Sequence, residues 1–331
     1  MRKPFPRRAF LGAAAAGLGL ACRSKATAGQ TVLRLSHSMA PGATSLDTMA
    51  QRFRESVAQK TAGAVKVEVF PNGTLGQERE IIQQMQEGLI DVMVSGTAIW
   101  GSVAPKIQVL DFPFVWRDYD HVHAVLGGTL GREAADYLDK AAKIRPLAWC
   151  DSFGFRHVVT RSKDVTEAAQ LAGLKLRTIQ SPIYLRAVEL MGASPTPMAF
   201  GEIYTSLQTG VIDGFEHDAS TTLQMRFFEV ARFMARTGHI AGVLGLYVSN
   251  ATLARVPASV RTAIEEAAQE AAQKQRAMGP VEDQSATEKL KTLGMTIRDL
   301  DRNAFLPTAQ KLWEAQAREL DASNWLGSIR A

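Results

Sequence analysis

The stretch Val65-Lys66-Val67-Glu68-Val69-Phe70-Pro71-Asn72-Gly73 lies at the centre of the pattern that decides the fold. Its valines alternate with charged residues, which predicts a strand with one buried face, and its last three residues predict a turn. Apolar residues at helical spacing predict a helix on each side, over residues 45–60 and 78–87. Further strands are predicted at 31–35 and 90–94. The order β-α-β-α-β predicts a mainly parallel sheet with helical crossovers.

The same alternation of strands and helices recurs after residue 150. Strands are predicted at 155–160 and 174–179, and helices at 182–191 and 202–209. A chain of 331 residues exceeds the usual size of a single hydrophobic core. Because clefts between lobes are favoured ligand sites, the predicted fold class is α/β with two lobes and a ligand cleft between them.

A long helix is predicted over residues 258–293, where apolar residues recur at helical spacing. Gly279-Pro280 should kink or break this helix, because proline lacks the amide that an interior helical position needs. A strand at 295–297 and a helix at 304–320 follow. The predicted boundaries are residues 29–153 plus about 242–281 for the first lobe, and residues 154–241 plus about 282–331 for the second.

Residues 1–28 read as an export signal rather than as part of the fold. A basic start with the pair Arg7-Arg8 precedes a short Ala/Gly-rich apolar run, and Ala26-Thr27-Ala28 has the small-x-small pattern of a cleavage site. The two arginines resemble a twin-arginine (Tat) signal. These features predict export to the periplasm, with lipid anchoring at Cys22 as the alternative to cleavage after Ala28.

The charge and cysteine content exclude two other interpretations. The net charge is +5, but six positive residues and no acidic ones lie within the predicted signal, so the basic balance does not indicate a nucleic-acid-binding surface. Cleavage would leave Cys150 as the one cysteine, which cannot form an internal disulfide.

Arg177 ends the strand-like run Gly173-Leu174-Lys175-Leu176-Arg177. A guanidinium presents a planar fork of N–H donors that matches a carboxylate in a bidentate way. An arginine at the end of an apolar strand is costly unless it is paired. We therefore predict that Arg177 binds the carboxylate of a small organic acid; the alternative is an ion pair with an internal Asp or Glu.

A series of motifs spans nearly all of the chain after the signal. They are Phe70-Pro71-Asn72-Gly73, Asp111-Phe112-Pro113-Phe114, Gly154-Phe155-Arg156, the run ending at Arg177, Gly192-Ala193-Ser194-Pro195-Thr196-Pro197-Met198-Ala199-Phe200, and residues 207–214 followed by Glu216. This ordered series resembles the extracytoplasmic solute-binding protein of tripartite ATP-independent periplasmic (TRAP) transporters, of the DctP type. The resemblance implies a class II two-lobe periplasmic fold that closes around one acidic solute, with a long helix bracing both lobes. It also implies that Arg177 pairs with the ligand carboxylate.

Several other residues are predicted to line the cleft. Arg156 matches a family position that often adds a second hydrogen bond to the solute, the alternative being a salt bridge, and Phe200 is expected over the ligand or in the core. The ends of strands in open α/β sheets favour ligand contacts. The remaining candidates are His37, Ser38, Thr97, Trp100, Gln180, Glu216 and His217.

The segment Glu216-His217-Asp218 departs from the family pattern, in which many relatives have Asn and Pro at the last two positions. The role of that Asn in hydrogen bonding the ligand is carried over to His217. Some family members bind a metal near this segment, but one carboxylate is weak evidence, so no metal and no cofactor are predicted. No catalytic motif is present, and His121-Val122-His123 reads as surface, so we predict that the protein is not an enzyme.

The predicted function is periplasmic binding of a sugar acid, such as a uronate or an aldonate, and its delivery to a TRAP membrane permease by a monomer. The preference for a sugar acid rests on the polar side chains predicted in the cleft, which could serve hydroxyl groups. The alternatives are a C4-dicarboxylate held by Arg177 and Arg156 at opposite ends, another 2-oxo or hydroxy acid, a sensory binding subunit, or an exported enzyme.

Overall fold

The computed structural model describes residues 30–42, 45–150 and 153–331. The predicted export signal, including Cys22, lies outside the described residues. Two β-sheets organise the chain. The first sheet has the strand order β2 (Val65–Phe70), β1 (Thr31–Ser36), β3 (Val92–Gly96), β10 (Leu244–Ser249) and β4 (Ile144–Cys150). The second has the order β11 (Thr296–Asp299), β9 (Phe233–Ala241), β5 (Phe155–Thr160), β8 (Gly214–His217), β6 (Lys175–Thr178) and β7 (Ser194–Pro197).

Helices connect and cover these sheets. They are α1 (Ser45–Lys60), α2 (Glu78–Gln86), α3 (Tyr119–Gly127), α4 (Thr129–Ala142), α5 (Pro182–Leu190), α6 (Ile203–Thr209), α7 (Ala219–Gln224), α8 (Asn250–Arg255), α9 (Ala258–Thr292), α10 (Leu306–Glu319) and α11 (Ser323–Arg330). The α/β class with two lobes is confirmed. Within the described residues, none of these helices is both long and apolar enough to cross a membrane.

Both sheets are mixed, which corrects the expectation of a mainly parallel arrangement. β1 pairs in parallel with β2 and β3, as the β-α-β order predicts. The antiparallel pairings involve β10 in the first sheet and β5 in the second. The chain crosses into the second lobe at β5, after β4, and returns to the first lobe at β10, after β9. Each of these two strands runs antiparallel to both of its neighbours.

The long helix α9 joins the two lobes. Its residues Ile264 and Ala268 are buried in the core that also holds Phe53 of α1. Further along, Ala286 and Leu290 are buried in the core of the second lobe. The predicted bracing helix is thus confirmed. Of the two outcomes predicted at Gly279-Pro280, a break is wrong, because α9 continues through Pro280, and a kink stays a prediction.

The last two helices pack against the segment between β3 and β4. Trp313 Nε1 donates to the carbonyl of Pro113 at 2.7 Å, and His121 Nε2 lies 2.7 Å from the carbonyl oxygen of Ile329. His121 is therefore buried, not on the surface as expected. The lobe boundaries stay a prediction; these contacts favour grouping α10 and α11 with the first lobe, although β11 joins the second sheet.

Gly214 begins β8 at a point where the neighbouring strand leaves no room for a side chain. A Cβ there would overlap the carbonyl oxygen of Val159, whereas a Cβ on Gly327 in α11 would meet nothing within 4 Å. We expect Gly214→Ala to lower the free energy of unfolding by about 1–3 kcal/mol. Gly327→Ala should raise it by up to about 1 kcal/mol, since alanine is the better helix former. Urea unfolding midpoints measure both; equal effects of the two substitutions would contradict the prediction.

Candidate ligand-binding site

A narrow cavity lies between the two lobes. Its lining comes from the first lobe (Ser38, Met39, Glu78, Gly96, Ala98, Ile99) and from the second lobe and the segment that enters it (Phe153, Arg156, Arg177, Ile179, Phe200, His217). The cavity holds about 30 Å³, which is room for only a few water molecules. A solute of sugar size therefore enters only if the lobes or the lining side chains move apart. A larger groove of about 920 Å³ lies beside α4, β4 and α9, and none of the predicted site residues lines it.

Arg177 presents to this cavity a guanidinium that has no carboxylate partner among the described residues. Its side chain is buried near the end of β6. Nε and Nη2 donate to the carbonyl of Met198 at 3.2 and 2.9 Å, whereas the buried Nη1 has no hydrogen-bond partner among the described residues. Burial lowers the pKa of Arg177 to about 10, with the nearby charge of Arg156 acting in the same direction. The guanidinium still carries its charge at neutral pH and lacks a paired carboxylate in the described part of the chain, so it is ready to receive an anion.

Arg156, by contrast, already has a carboxylate partner. Its Nε donates to Glu216 Oε2, and its Nη2 donates to Oε1 at 3.0 Å and to the Glu216 carbonyl at 2.7 Å. Both side chains are at most 1% exposed. Arg156 nevertheless lines the cavity, and its Nη1 makes no hydrogen bond with the described residues. Arg156 can therefore donate one hydrogen bond to a solute, but its charge is neutralised.

Glu216 lies behind Arg156 rather than in the cavity lining. Thr178 Oγ1 donates to its Oε1 at 2.9 Å, and His239 Nε2 lies 3.5 Å from its Oε2. Burial alone would raise the pKa of Glu216, but Arg156 and His239 outweigh that effect and hold the pKa well below its usual range. Glu216 is therefore an ionised partner of Arg156. Glu216 was predicted to contact the ligand, but the structure places it outside the cavity lining.

His217 lines the cavity from β8. Its Nδ1 lies 2.5 Å from Asp218 Oδ2. The rings of Phe153 and Phe200 meet the imidazole edge to face, with centroids 5.4 and 5.7 Å away. Burial, followed by the charge of Arg156, lowers the pKa of His217 to about 4, so the imidazole is neutral at pH 7.

The other predicted site residues divide into two groups. Ser38 and Phe200 line the cavity with the residues already described, and Ser38 Oγ donates to Glu78 Oε1 at 3.2 Å. The rest lie elsewhere: His37 is buried 3.2 Å from Asp47, Thr97 donates to Asp111, Trp100 donates to Ser95 and packs on Tyr247, and the Gln180 side chain is exposed.

Two physical causes explain why three of these candidates lie outside the cavity lining. After β3 the chain enters the short helical segment Thr97–Ser102, which turns the Thr97 and Trp100 side chains into the first-lobe core. The neighbouring carboxylate of Asp47 captures His37.

Glu78 is the functional candidate that sequence reasoning missed. It begins α2 and is half-buried at the cavity, where burial raises its pKa. An acidic residue in the first turn of a helix is common for electrostatic reasons alone, so its position gave no signal. Among the described residues, no group of three His, Cys, Asp or Glu side chains is arranged to hold a metal ion.

Asp111 forms a buried polar contact between the lobes. Its Oδ1 accepts hydrogen bonds from Thr97 Oγ1 at 2.7 Å and from Tyr184 OH of α5 at 3.3 Å, while the buried Oδ2 has no partner among the described residues. Burial raises the pKa of Asp111 to about 7. The folded state therefore holds a proton on this carboxyl between about pH 4 and pH 7, where the unfolded chain has released it.

Because this acid has a raised pKa, its contribution to stability is complete below about pH 4 and is lost as the pH rises towards 7. We expect Asp111→Asn, which keeps both accepted hydrogen bonds, to remove this loss. The variant should gain stability over wild type between pH 4 and pH 7, by at most on the order of 4 kcal/mol. Urea unfolding at several pH values measures the difference. The exposed Asp301→Asn is the control, and a difference for Asp111→Asn that does not change with pH would contradict the prediction.

Two lobes around a cavity, with a buried guanidinium that has no carboxylate partner among the described residues, are typical of a solute-binding protein. The family model described as bacterial extracellular solute-binding protein, family 7, or DctP, matches residues 35–320. The chain belongs to this family, which confirms the resemblance read from the motifs.

Individual relatives agree with this assignment. The 2,3-diketo-L-gulonate-binding periplasmic protein YiaO of Escherichia coli K12 is 34% identical over 258 residues, covering 77% of this chain and 78% of that protein. The C4-dicarboxylate-binding periplasmic protein DctP of Rhodobacter capsulatus is 32% identical over 294 residues, covering 87% and 86%.

Solved structures of TRAP periplasmic solute-binding proteins share the whole fold. That of Bordetella bronchispeptica, with ligand density assigned to pantoate, superposes with a TM-score of 0.86 at 31% identity over 91% of this chain and 99% of that one. That of Chromohalobacter salexigens, with bound D-glucuronate, gives 0.86 at 29% identity over 90% and 99%. The two-lobe periplasmic binding fold is thereby confirmed.

Proposed function

We propose that this chain binds a hydroxylated monocarboxylate, a sugar acid such as a uronate or an aldonate, and delivers it to a TRAP membrane permease. The observation that carries the proposal is the Nη1 group of Arg177, which is buried at the cavity and has no partner among the described residues. A carboxylate at this position would receive a charge-assisted hydrogen bond and neutralise the cation. Arg156 and His217 would then contact the rest of the solute from the same cavity.

The ligands of similar proteins support a hydroxylated acid. D-glucuronate and pantoate each carry one carboxylate and hydroxyl groups, and 2,3-diketo-L-gulonate is a sugar acid. In this chain the imidazole of His217 is neutral. Nη1 of Arg156 has no hydrogen-bond partner among the described residues and belongs to a guanidinium whose charge Glu216 neutralises. Such groups suit hydroxyls better than they suit a second anion.

A C4-dicarboxylate is the second candidate, favoured by the similarity to DctP of Rhodobacter capsulatus. It requires a second cation for its second carboxylate. Arg156 is the nearest candidate, but its charge is compensated by Glu216 within the same lobe. Recruiting Arg156 would leave Glu216 buried without its partner, which is strongly unfavourable.

The proposal extends to the location of the protein and to its partners. Export through residues 1–28 would place the mature chain in the periplasm, either free or lipid-anchored at Cys22. The chain would act there as a monomer that meets permease subunits, without catalysis. Incubation of the purified protein with each bound acid should return that acid unchanged, and a reaction product would identify an exported enzyme instead. Binding to a receptor kinase in place of a permease would identify a sensory subunit.

The test removes the anion anchor. A thermal-shift panel with D-glucuronate, D-gluconate and succinate should give a rise in melting temperature for at least one sugar acid, because a ligand at 100 times its Kd stabilises the native state by about 2.7 kcal/mol. Arg177→Ala should abolish the shift for every acid. The ligand-free variant should keep or gain stability, since an unpaired buried cation is removed.

The matched control is Arg298→Ala, which removes an exposed arginine paired with Asp164. It should bind acids as the wild type does. A retained shift in Arg177→Ala would contradict the proposed anchor, and a shift with succinate alone would favour the dicarboxylate.

A further inference from the structure

We propose that Asp218 holds the imidazole of His217 with its proton on Nδ1, so that Nε2 presents a lone pair to the cavity and selects a solute hydroxyl over an oxo group. This inference rests on the proposed function, because it concerns the solute bound at the same site. Asp218 acts in it as a positioning residue, and His217 as a residue that determines specificity.

The contact between the two side chains assigns the proton. Nδ1 of His217 lies 2.5 Å from Asp218 Oδ2. The backbone N–H of Asp218 also points at Nδ1, from 3.1 Å, and could donate to that nitrogen only if it carried no proton. An unprotonated Nδ1 would then face a carboxylate oxygen at 2.5 Å, lone pair against lone pair. A proton on Nδ1 instead makes a short charge-assisted hydrogen bond.

The carboxylate of Asp218 is itself fixed. Asp218 is the N-cap of α7, and its Oδ1 accepts the backbone N–H of Thr221 at 2.8 Å. Its carbonyl accepts the hydroxyl of Thr222, also at 2.8 Å. The two carboxylate oxygens therefore have separate roles: Oδ1 caps the helix and Oδ2 orients the imidazole.

The charge state of the pair is compatible with this assignment. Burial is the largest influence on the His217 pKa and lowers it, and Arg156 adds to the effect. His217 lowers the pKa of Asp218, so the carboxyl is ionised despite its burial. A neutral imidazole carries one ring proton, and with Nδ1 protonated Nε2 is an acceptor.

The surroundings direct that acceptor at the solute. Edge-to-face contacts with Phe153 and Phe200 hold the plane of the ring. His217 lines the cavity, and its Nε2 makes no hydrogen bond with the described residues. A hydroxyl at this point can donate to Nε2, whereas an oxo oxygen would bring a second lone pair and leave both groups unsatisfied.

The first experiment observes the ring nitrogens directly. In protein labelled with ¹⁵N-histidine, the His217 signals are those that His217→Gln removes. We expect the chemical shift of an N–H nitrogen for Nδ1 and of an unprotonated nitrogen for Nε2 in the ligand-free wild type. The reverse assignment would overturn the proposal. This measurement needs no ligand, and it decides the question even where a variant at position 218 does not fold.

The second experiment uses Asp218→Asn to reverse the direction of the hydrogen bond between residue 218 and His217 Nδ1. The single oxygen of Asn can keep the cap on Thr221, which leaves the amide nitrogen in the place of Oδ2. That nitrogen donates to Nδ1 and moves the ring proton to Nε2. Asp118→Asn is the matched control, because exposed Asp118 caps α3 by accepting the N–H of His121, also at 2.8 Å.

The readout is the affinity ratio between hydroxy and oxo acids. D-gluconate is compared with 2-oxo-D-gluconate and 5-oxo-D-gluconate by calorimetry. In wild type and Asp118→Asn, D-gluconate should bind tighter than at least one of the oxo acids by roughly ten-fold or more. In Asp218→Asn this preference should fall about ten-fold. If the wild type binds no acid of any kind, the proposed function is wrong. If the wild type binds the hydroxy and oxo acids equally well, or if Asp218→Asn keeps the wild-type affinity ratio, only the proposed role of the Asp218–His217 pair is wrong.

Discussion

The buried ion pair between Arg156 and Glu216 is the interaction on which the site depends. It joins β5 to β8, and removing either partner would leave the other charge buried and uncompensated, which is strongly unfavourable. Because Glu216 is committed to Arg156, the second cavity arginine, Arg177, has no ion-pair partner among the described residues. Under the proposed function, the affinity for an anion comes from this charge imbalance in the second lobe, because the ion pair leaves the guanidinium of Arg177, and not that of Arg156, without a carboxylate among the described residues.

The local part of the fold could be read from the sequence, and the long-range part could not. Alternating valines and helical periodicity were enough to place β2 with its flanking helices, because each element depends on residues close to it in the chain. The antiparallel pairings of β10 depend on where the chain returns after almost a hundred residues in the other lobe. No local pattern encodes that return. Likewise, helical packing on both lobes carries α9 through Pro280, where propensity alone predicted a kink or a break and no break occurs.

The site shows the same division. The position of Arg177 at the cavity could be predicted because a lone arginine at a strand end calls for an anionic partner. The partner of Arg156 could not be predicted, because Glu216 contacts Arg156 only through the register of two strands that are sixty residues apart in sequence. Glu216 and Thr97 were therefore expected at the ligand, but they lie behind other residues. The unusual pair His217-Asp218 was visible as a departure from the family motif, but its proton arrangement required the 2.5 Å contact.

The unbroken course of α9 has a mechanical consequence. Pro280 has no amide hydrogen, so the helix lacks one of its internal hydrogen bonds there. The residues that anchor α9 in the first-lobe core end at Ala272, and those that anchor it in the second-lobe core begin at Ala286. The weakest turn of the rod thus falls within the span between its two anchorages. Such a helix bends most easily between the two lobes that it connects, where a hinge motion of the lobes would bend it. The missing N–H of Pro280 determines how easily it bends there.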